Sequence, residues 1–363
     1  MSSSQREEEE TAETILLSSE KWWRSRYDFL QKHGYRLRTR YQPDWQPSWV
    51  KSGKDEFRCE DSYRNRHWKT IDAVQLSSGK TVFLKAVGKN SAEKSIASYL
   101  YSEGLRDDPR NHCVPILDSF EDETELDKEF IVMPLLRKFR SPPFDIALEA
   151  FDFVRQMLEA VVFIHENNVA HRDFCTLNIM YDAEKVYPKG YHPAAALLTM
   201  DVQEFAPHIS RTAAGGVRYF VTDFGISTRI REGESRLVTG KECQDKTVPE
   251  LSERVPYDPF PVDIYTLGKV FKEDILEAYK NVKCLKPLVE SMTRKDPKSR
   301  PAAVEALRHF EGIVKRQPVH VVQWKLKSVE SNWIIHTYQD FVSLGTVSAA
   351  YMRKLTKVFV KPR

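Results

Sequence analysis

The spacing of apolar and polar residues changes character along the chain. Two β-rich runs, residues 72–76 and 81–87, flank Ser77-Ser78-Gly79-Lys80, and this alternation broken by turn residues predicts a hairpin. Behind Ser91, the residues Glu93, Ile96, Ala97 and Leu100 fall at i, i+3, i+4 and i+7, one face of a helix with serine at its cap. Further strand is expected over 113–117 and 130–133. Beyond Pro142 and Pro143 the period becomes helical, with Phe151, Val154, Leu158, Val161 and His165 in one stripe. A small β-rich half therefore gives way to a larger helical half, an α+β arrangement.

Around this centre lie four segments of other composition. Residues 1–14 are polar and acidic and bury too little surface to offset chain entropy, so they are expected to be a disordered tail. Residues 15–71 carry Trp22, Trp23, Tyr27, Phe29, Leu30, Tyr35, Tyr41, Trp45 and Trp49, broken by Pro43 and Pro47. Such density predicts an irregular extension packed onto a larger body. Residues 182–218 are longer than most loops and read as an insertion, either a docking surface built on Tyr187, Tyr191 and His192 or an ordered flap. Residues 317–363 form a C-terminal extension whose basic end, Arg353 to Arg363, reads as a solvated face.

Composition narrows the function. A length of 363 residues suits two cores or one bilobed fold, and 41% hydrophobic with 29% charged residues is ordinary for a globular chain. The 55 basic and 52 acidic residues leave a net charge of +3, too balanced for nucleic-acid binding by a one-signed field. Fourteen glycines never stand at the spacings of dinucleotide-binding, Walker-type or serine-hydrolase loops. Five separated cysteines form no Cys-x-x-Cys pair, which points to a reducing compartment. With no leader peptide and no run of 18 apolar residues, neither secretion nor membrane contact is expected, and the location is expected to be intracellular, cytoplasmic or nuclear.

The chemistry concentrates in two short runs. His171-Arg172-Asp173-Phe174-Cys175-Thr176-Leu177-Asn178 sets an aspartate five residues before an asparagine, and Val221-Thr222-Asp223-Phe224-Gly225 ends an apolar strand in an acid and a glycine. In this order, after Lys85, they resemble the H-R-D-x-x-x-x-N loop and D-F-G turn of the protein-kinase superfamily. Val248-Pro249-Glu250 resembles the family's A-P-E, Asp263 to Gly268 lies on an apolar helix, and Asp296-Pro-Lys-Ser-Arg300-Pro301 resembles its late arginine motif. The resemblance covers 72–316, and strings such as Trp22-Trp23-Arg24 are similar to a fungal kinase-like branch.

What the resemblance implies is a bilobed protein-kinase-like fold, with an N-lobe over 72–137 and a C-lobe over 138–316 that carries the insertion. It also implies ATP and Mg²⁺ as cofactors and a protein substrate. Lys85 would hold the α- and β-phosphates and Glu93 would orient it, while Asp173 would take the proton of the attacking hydroxyl. Asn178 and Asp223 would bind Mg²⁺, a hard cation that takes few protein oxygens. Met133 would stand behind the adenine, with Pro134, Leu135 and Leu136 as the hinge. Glu250 and Arg300 would form a buried ion pair.

Two departures bear on activity. No glycine stands between Gly53 and Gly79, where the family's glycine-rich loop is expected, and Cys175 replaces the usual catalytic-loop lysine. The implied activity is a serine/threonine protein kinase of reduced rate; the alternatives are a pseudokinase serving as a nucleotide-binding or scaffolding module, and a small-molecule phosphotransferase. Ser227, Thr228, Ser235, Thr239 and Thr247 read by default as the ordinary hydroxyls of a loop, any of which, once phosphorylated, could pair with Arg172.

Overall fold

The computed structural model describes residues 15–65, 67–331, 335–337, 339 and 342–343. The expected acidic tail and the basic end of the chain lie outside these residues. Two compact units emerge, one β-rich and drawn from Met1–Ser91, Pro115–Leu135 and Glu184–His208, the other helical and drawn from Ala92–Val114, Leu136–Ala183 and Ile209–Arg363. Among the described residues no helix is long and apolar enough to cross a membrane.

The β-rich unit begins with helices α1 (Ser18–Arg24) and α2 (Tyr27–Lys32), then strand β1 (Tyr35–Arg36) and helix α3 (Ser48–Ser52). Strands β2 (Thr70–Gln75), β3 (Thr81–Gly88), β4 (Asp118–Glu121) and β5 (Lys128–Pro134) complete an antiparallel sheet of order β1-β2-β3-β5-β4. The expected hairpin is β2–β3, with Thr70 opposite Lys85 and Val74 opposite Thr81. Because side chains alternate, one face carries Ile71, Ala73, Val82, Leu84, Ala86, Phe130 and Val132, and these are buried. Their cover is the aromatic extension: Trp23, Tyr27, Leu30, Tyr35, Leu37 and Tyr41 form one core with them. The extension is thus part of the unit's interior, with short helices where an irregular path was expected.

Buried cations fix that extension. Arg26 meets Asp122 at 2.7 Å and lies 3.7 Å over the Trp22 ring. Arg40, fully buried, meets Glu20 at 2.6 Å and donates to the Asp61 carbonyl at 2.8 Å. Asp61 in turn accepts from the Trp45 indole at 2.8 Å and the Ser48 amide at 2.9 Å. Each of these cations is paired with a carboxylate and the Asp61 carboxylate is hydrogen-bonded, the conditions under which burial is tolerated.

Residues 184–208 of the insertion also belong to this unit. Tyr187, Tyr191 and His192 are buried, so these side chains present no docking surface. His192 donates from Nε2 to Glu60 at 2.9 Å and accepts the Ala195 amide at Nδ1. Arg38 closes the chain of contacts, reaching Asp72 at 2.9 Å and Glu60 at 3.4 Å. Those contacts hold the Glu60 carboxyl below its usual range against the opposing effect of burial, with His192 the leading favourable partner.

The helical unit opens with α4 (Ala92–Leu100), whose buried residues are the four that the spacing singled out. The strand expected over 113–117 is not formed there; only Cys113 bridges Val221, and the strand lies later, at Asp118–Glu121. Pro115 has no N–H to give a ladder, and the Val114 amide is taken by the Val221 carbonyl at 2.9 Å. After β6 (Arg137–Lys138) comes the central helix α5 (Ala147–Glu166), then β7 (Val169–Ala170), β8 (Ile179–Tyr181), β9 (Tyr219–Val221) and β10 (Thr228–Arg229). Strands β6, β8 and β9 form one sheet, and β7 pairs with β10. The remaining elements are the ladder β11 (Val238–Gly240) with β12 (Ser252–Tyr257), and helices α6 (Phe260–Phe271), α7 (Lys286–Met292), α8 (Ala303–Lys315) and α9 (Val319–Val322). A Cβ on Gly268 would sit 2.8 Å from Met292 Cβ, so glycine is what allows α6 to approach the end of α7 so closely.

Candidate active site

In the β-rich unit, Lys85 lies on β3 opposite Thr70 and Ile131, half-buried, on the sheet face away from the aromatic core. Met133 is on β5 opposite Phe83, and alternation places Met133, Phe83 and Lys85 on that same face. Pro134 and Leu135 follow in the same unit, whereas Leu136 begins the helical unit's next stretch. Glu93, Asp173, Asn178 and Asp223 all belong to the helical unit.

Within the helical unit, the two motif runs meet through a short ladder. Ile179 pairs with Val221, so the strands that leave Asn178 and enter Asp223 lie side by side. The Thr222 amide donates to the Asn178 carbonyl at 2.8 Å, and the Asn178 side-chain amide donates to Asp173 Oδ2 at 2.9 Å. Asp173 Oδ1 accepts the Gln244 amide at 2.7 Å. Asp223 has φ 64 and is exposed; aspartate is among the residues that tolerate this left-handed backbone. A Cβ built on Gly225 would stand 3.1 Å from Asp223 Oδ1 and 3.7 Å from Glu93 Oε2. Both carboxylates therefore flank this position, with Asp223 Oδ1 the tighter neighbour.

The loop that carries Asp173 is held from beneath by Asp263, fully buried in the first turn of α6. Asp263 accepts the His171 amide at 2.8 Å, the Arg172 amide at 2.6 Å and His165 Nε2 at 2.9 Å. These bonds sustain Arg172 at φ 68, a conformation that costs a non-glycine residue on the order of 1 kcal/mol. Its guanidinium donates to the Ile226 and Thr239 carbonyls and to the Thr228 and Tyr257 hydroxyls, with Glu242 at 3.6 Å. Further on, Arg300 grips Glu250 through two contacts of 2.5 and 2.9 Å, the buried ion pair expected from the motifs. Asp263 was legible only as part of a motif string; nothing in its local spacing shows that it caps a loop 90 residues earlier.

Two titratable groups are tuned by burial. Cys175 has its thiol pushed up to about 11, first by desolvation and then by Asp173, so it stays a protonated thiol rather than a reactive thiolate. His171 is held below its ordinary 6.5, chiefly by desolvation. Geometry agrees: Nε2 donates to the Thr222 carbonyl at 3.1 Å while Nδ1 accepts the Asp173 amide, leaving no acceptor for a second proton. The native state then binds fewer protons than the unfolded chain below pH 6.5, and stability falls as pH drops through that value. We expect the acid-side slope of urea-unfolding stability to shrink in His171→Phe by up to about 1.4 kcal/mol per pH unit, one proton's worth. Equal slopes in both proteins would show that His171 protonates in the fold.

No protein-family model matches the chain. A light-sensor protein kinase of Ceratodon purpureus is 28% identical over 135 residues, 37% of this chain and 10% of that protein. The liver/testis phosphorylase b kinase gamma catalytic chain of Bos taurus is 36% identical over 77 residues, 20% of this chain and 18% of that one. The matches thus span a tenth to a fifth of the length of these curated relatives. Among solved structures, the Rad53 kinase domain with SCD2 and AMPPNP aligns at TM-score 0.41 and 17% identity, covering 70% of this chain and 90% of that one. With its two catalytic-type runs joined through Asn178, its activation-type segment closed by Glu250 and Arg300, and local likeness to two kinases, the chain is similar to the protein-kinase-like superfamily.

Proposed function

We propose that the chain is a protein kinase that transfers the γ-phosphoryl group of ATP, with Mg²⁺, to a serine or threonine hydroxyl of a protein. The observation that carries this reading is the joining of Asp173, Asn178 and Asp223 over one ladder, since this chemistry needs a proton acceptor and hard oxygens held in fixed register. Asp173 receives two hydrogen bonds on its carboxylate, which orient it to take the hydroxyl proton. As that proton leaves, the substrate oxygen bonds to the γ-phosphorus, the bond to the β–γ bridging oxygen breaks, and ADP departs with its electron pair. Asn178 spends its Nδ2 on Asp173, which leaves its side-chain Oδ1, together with the Asp223 carboxylate, as the proposed oxygen donors for Mg²⁺. Bound Mg²⁺ supplies charge neutralisation on the phosphate oxygens. In the β-rich unit, Lys85 is the proposed cation for the α- and β-phosphates, and Met133 and Leu135 the proposed base contacts. In the helical unit, Glu93 is the proposed orienting carboxylate and Leu136 a further hinge residue.

Two features lower the expected rate. Residues 37–69 connect β1 to β2 in place of a glycine turn, and Cys175 offers no cation to the developing charge, a loss typically of about 10²–10³ in rate. Calorimetry of ATP binding with and without Mg²⁺, followed by phosphate transfer to generic protein substrates, tests the reading. Mg²⁺ is expected to tighten binding to the wild type and not to Asp223→Ala, and transfer in Asp223→Ala is expected to fall by about 10²–10³-fold. Absence of any Mg²⁺-dependent binding and of Asp223-sensitive transfer would reject it.

A further inference from the structure

We infer that Phe83 determines what the nucleotide-binding face of the β-rich unit accepts, filling space that a nucleobase would need; this rests on the function proposed above. The kinase strand motif reads V-A-I-K, with alanine two residues before the lysine. Here it reads Val82-Phe83-Leu84-Lys85, so a benzyl side chain stands where the motif has a methyl group. Two residues apart on a strand means the same face. Val82, Leu84 and Ala86 take the other face and are buried in the aromatic core, while Thr81, Phe83 and Lys85 are half-buried on this one.

Neighbours across the strands border that position on both sides. Phe83 is opposite Met133 on β5 and opposite Asp72 on β2. Directly opposite residues have Cβ atoms roughly 4.5–5.5 Å apart, close enough for the ring to abut the Met133 side chain. Asp72 is only 4% exposed and is clamped by Arg38, which also holds Glu60, itself bound by buried His192. Beside Phe83, the Asp72 position is thus tied into a salt-bridged layer built from the extension and the insertion. What remains next to Lys85 is a face with an ammonium group and a narrowed apolar surface, suited to a polyphosphate and poorly suited to a purine.

The test compares ATP with inorganic tripolyphosphate, which carries the phosphate charges without a base. Binding of each to the full chain is measured by calorimetry for wild type, Phe83→Ala and the milder Phe83→Val, with thermal unfolding to check the fold. Phe83→Ala is expected to bind ATP about tenfold or more tightly than wild type, a change of the size a hydrophobic pocket gives for a small alteration of its volume. Phe83→Val is expected to fall between, and tripolyphosphate affinity to stay within about twofold. Unchanged or weaker ATP binding in both folded variants, while wild type binds ATP well, would overturn the inference and leave the kinase reading standing. Equal tightening of both ligands would overturn it too, because the effect would then lie at the phosphates. No ATP binding by any of the three folded proteins would overturn both readings.

Discussion

Replacing Arg300 by methionine is expected to remove about 3–5 kcal/mol of stability from the helical unit, the cost of breaking a buried ion pair from one side. The arginine side chain is fully buried and Glu250 is only 9% exposed, so the abandoned carboxylate has little water to turn to. Arg300 also donates to the Arg294, Pro261 and Lys295 carbonyls and lies 4.7 Å over the Tyr265 ring. Methionine restores apolar contact with that ring and none of the hydrogen bonds. Urea unfolding followed by a probe within the helical unit measures the loss. Adding Glu250→Leu to Arg300→Met should recover a good part of it, because the uncompensated charge is then gone. A single-variant loss below about 1 kcal/mol, the range of a surface pair, would show that the contact is solvated.

Asp263→Asn is expected to act on a different property, the order of the loop beneath Asp173. Its carboxylate accepts three hydrogen bonds and donates none, whereas asparagine must turn an NH₂ toward at least one N–H. One buried donor is then left without a partner, and the cost is about 1–3 kcal/mol, with more for the lost charge. Arg172 needs those bonds to remain at φ 68, so its backbone should relax toward ordinary values. Amide exchange at His171 and Arg172 should rise far more than at the centre of α5. If Asp173 shifts with the loop by an ångström, phosphate transfer should fall by about 10²-fold, at the expense of turnover rather than nucleotide affinity. Unchanged exchange at both amides would show that Asp263 does not hold the loop.

How much of this was legible in the sequence depended on the range of the interactions. The β2–β3 hairpin and the buried face of α4 follow from periods of two and 3.6 within a dozen residues, and both are found. Motif order gave the partners Glu250 and Arg300, which are 50 residues apart. The strand β1, by contrast, is two residues long and pairs with residues 74 and 75, so no local pattern can announce it. Strand β4 was misplaced because the apolar Cys113-Val114 run looks like a strand, whereas the real one, Asp-Ser-Phe-Glu, is an edge strand whose side chains are exposed or half-buried. Arg26 and Arg40 were invisible as interior residues, since charged side chains are read as surface until their partners are known. Phe83 was readable all along as a departure from V-A-I-K, but its weight came only with the register that sets it against Met133.

The β-rich unit is assembled from three separated lengths of chain, the last of them ending at His208. A ribosome delivers the sheet long before it delivers His192, so Glu60 and Arg38 must wait for their cover until 57 further residues have emerged, the distance from Leu135 to His192. During that interval the nascent chain exposes a half-finished charged layer, which makes synthesis of this unit an occasion for chaperone capture.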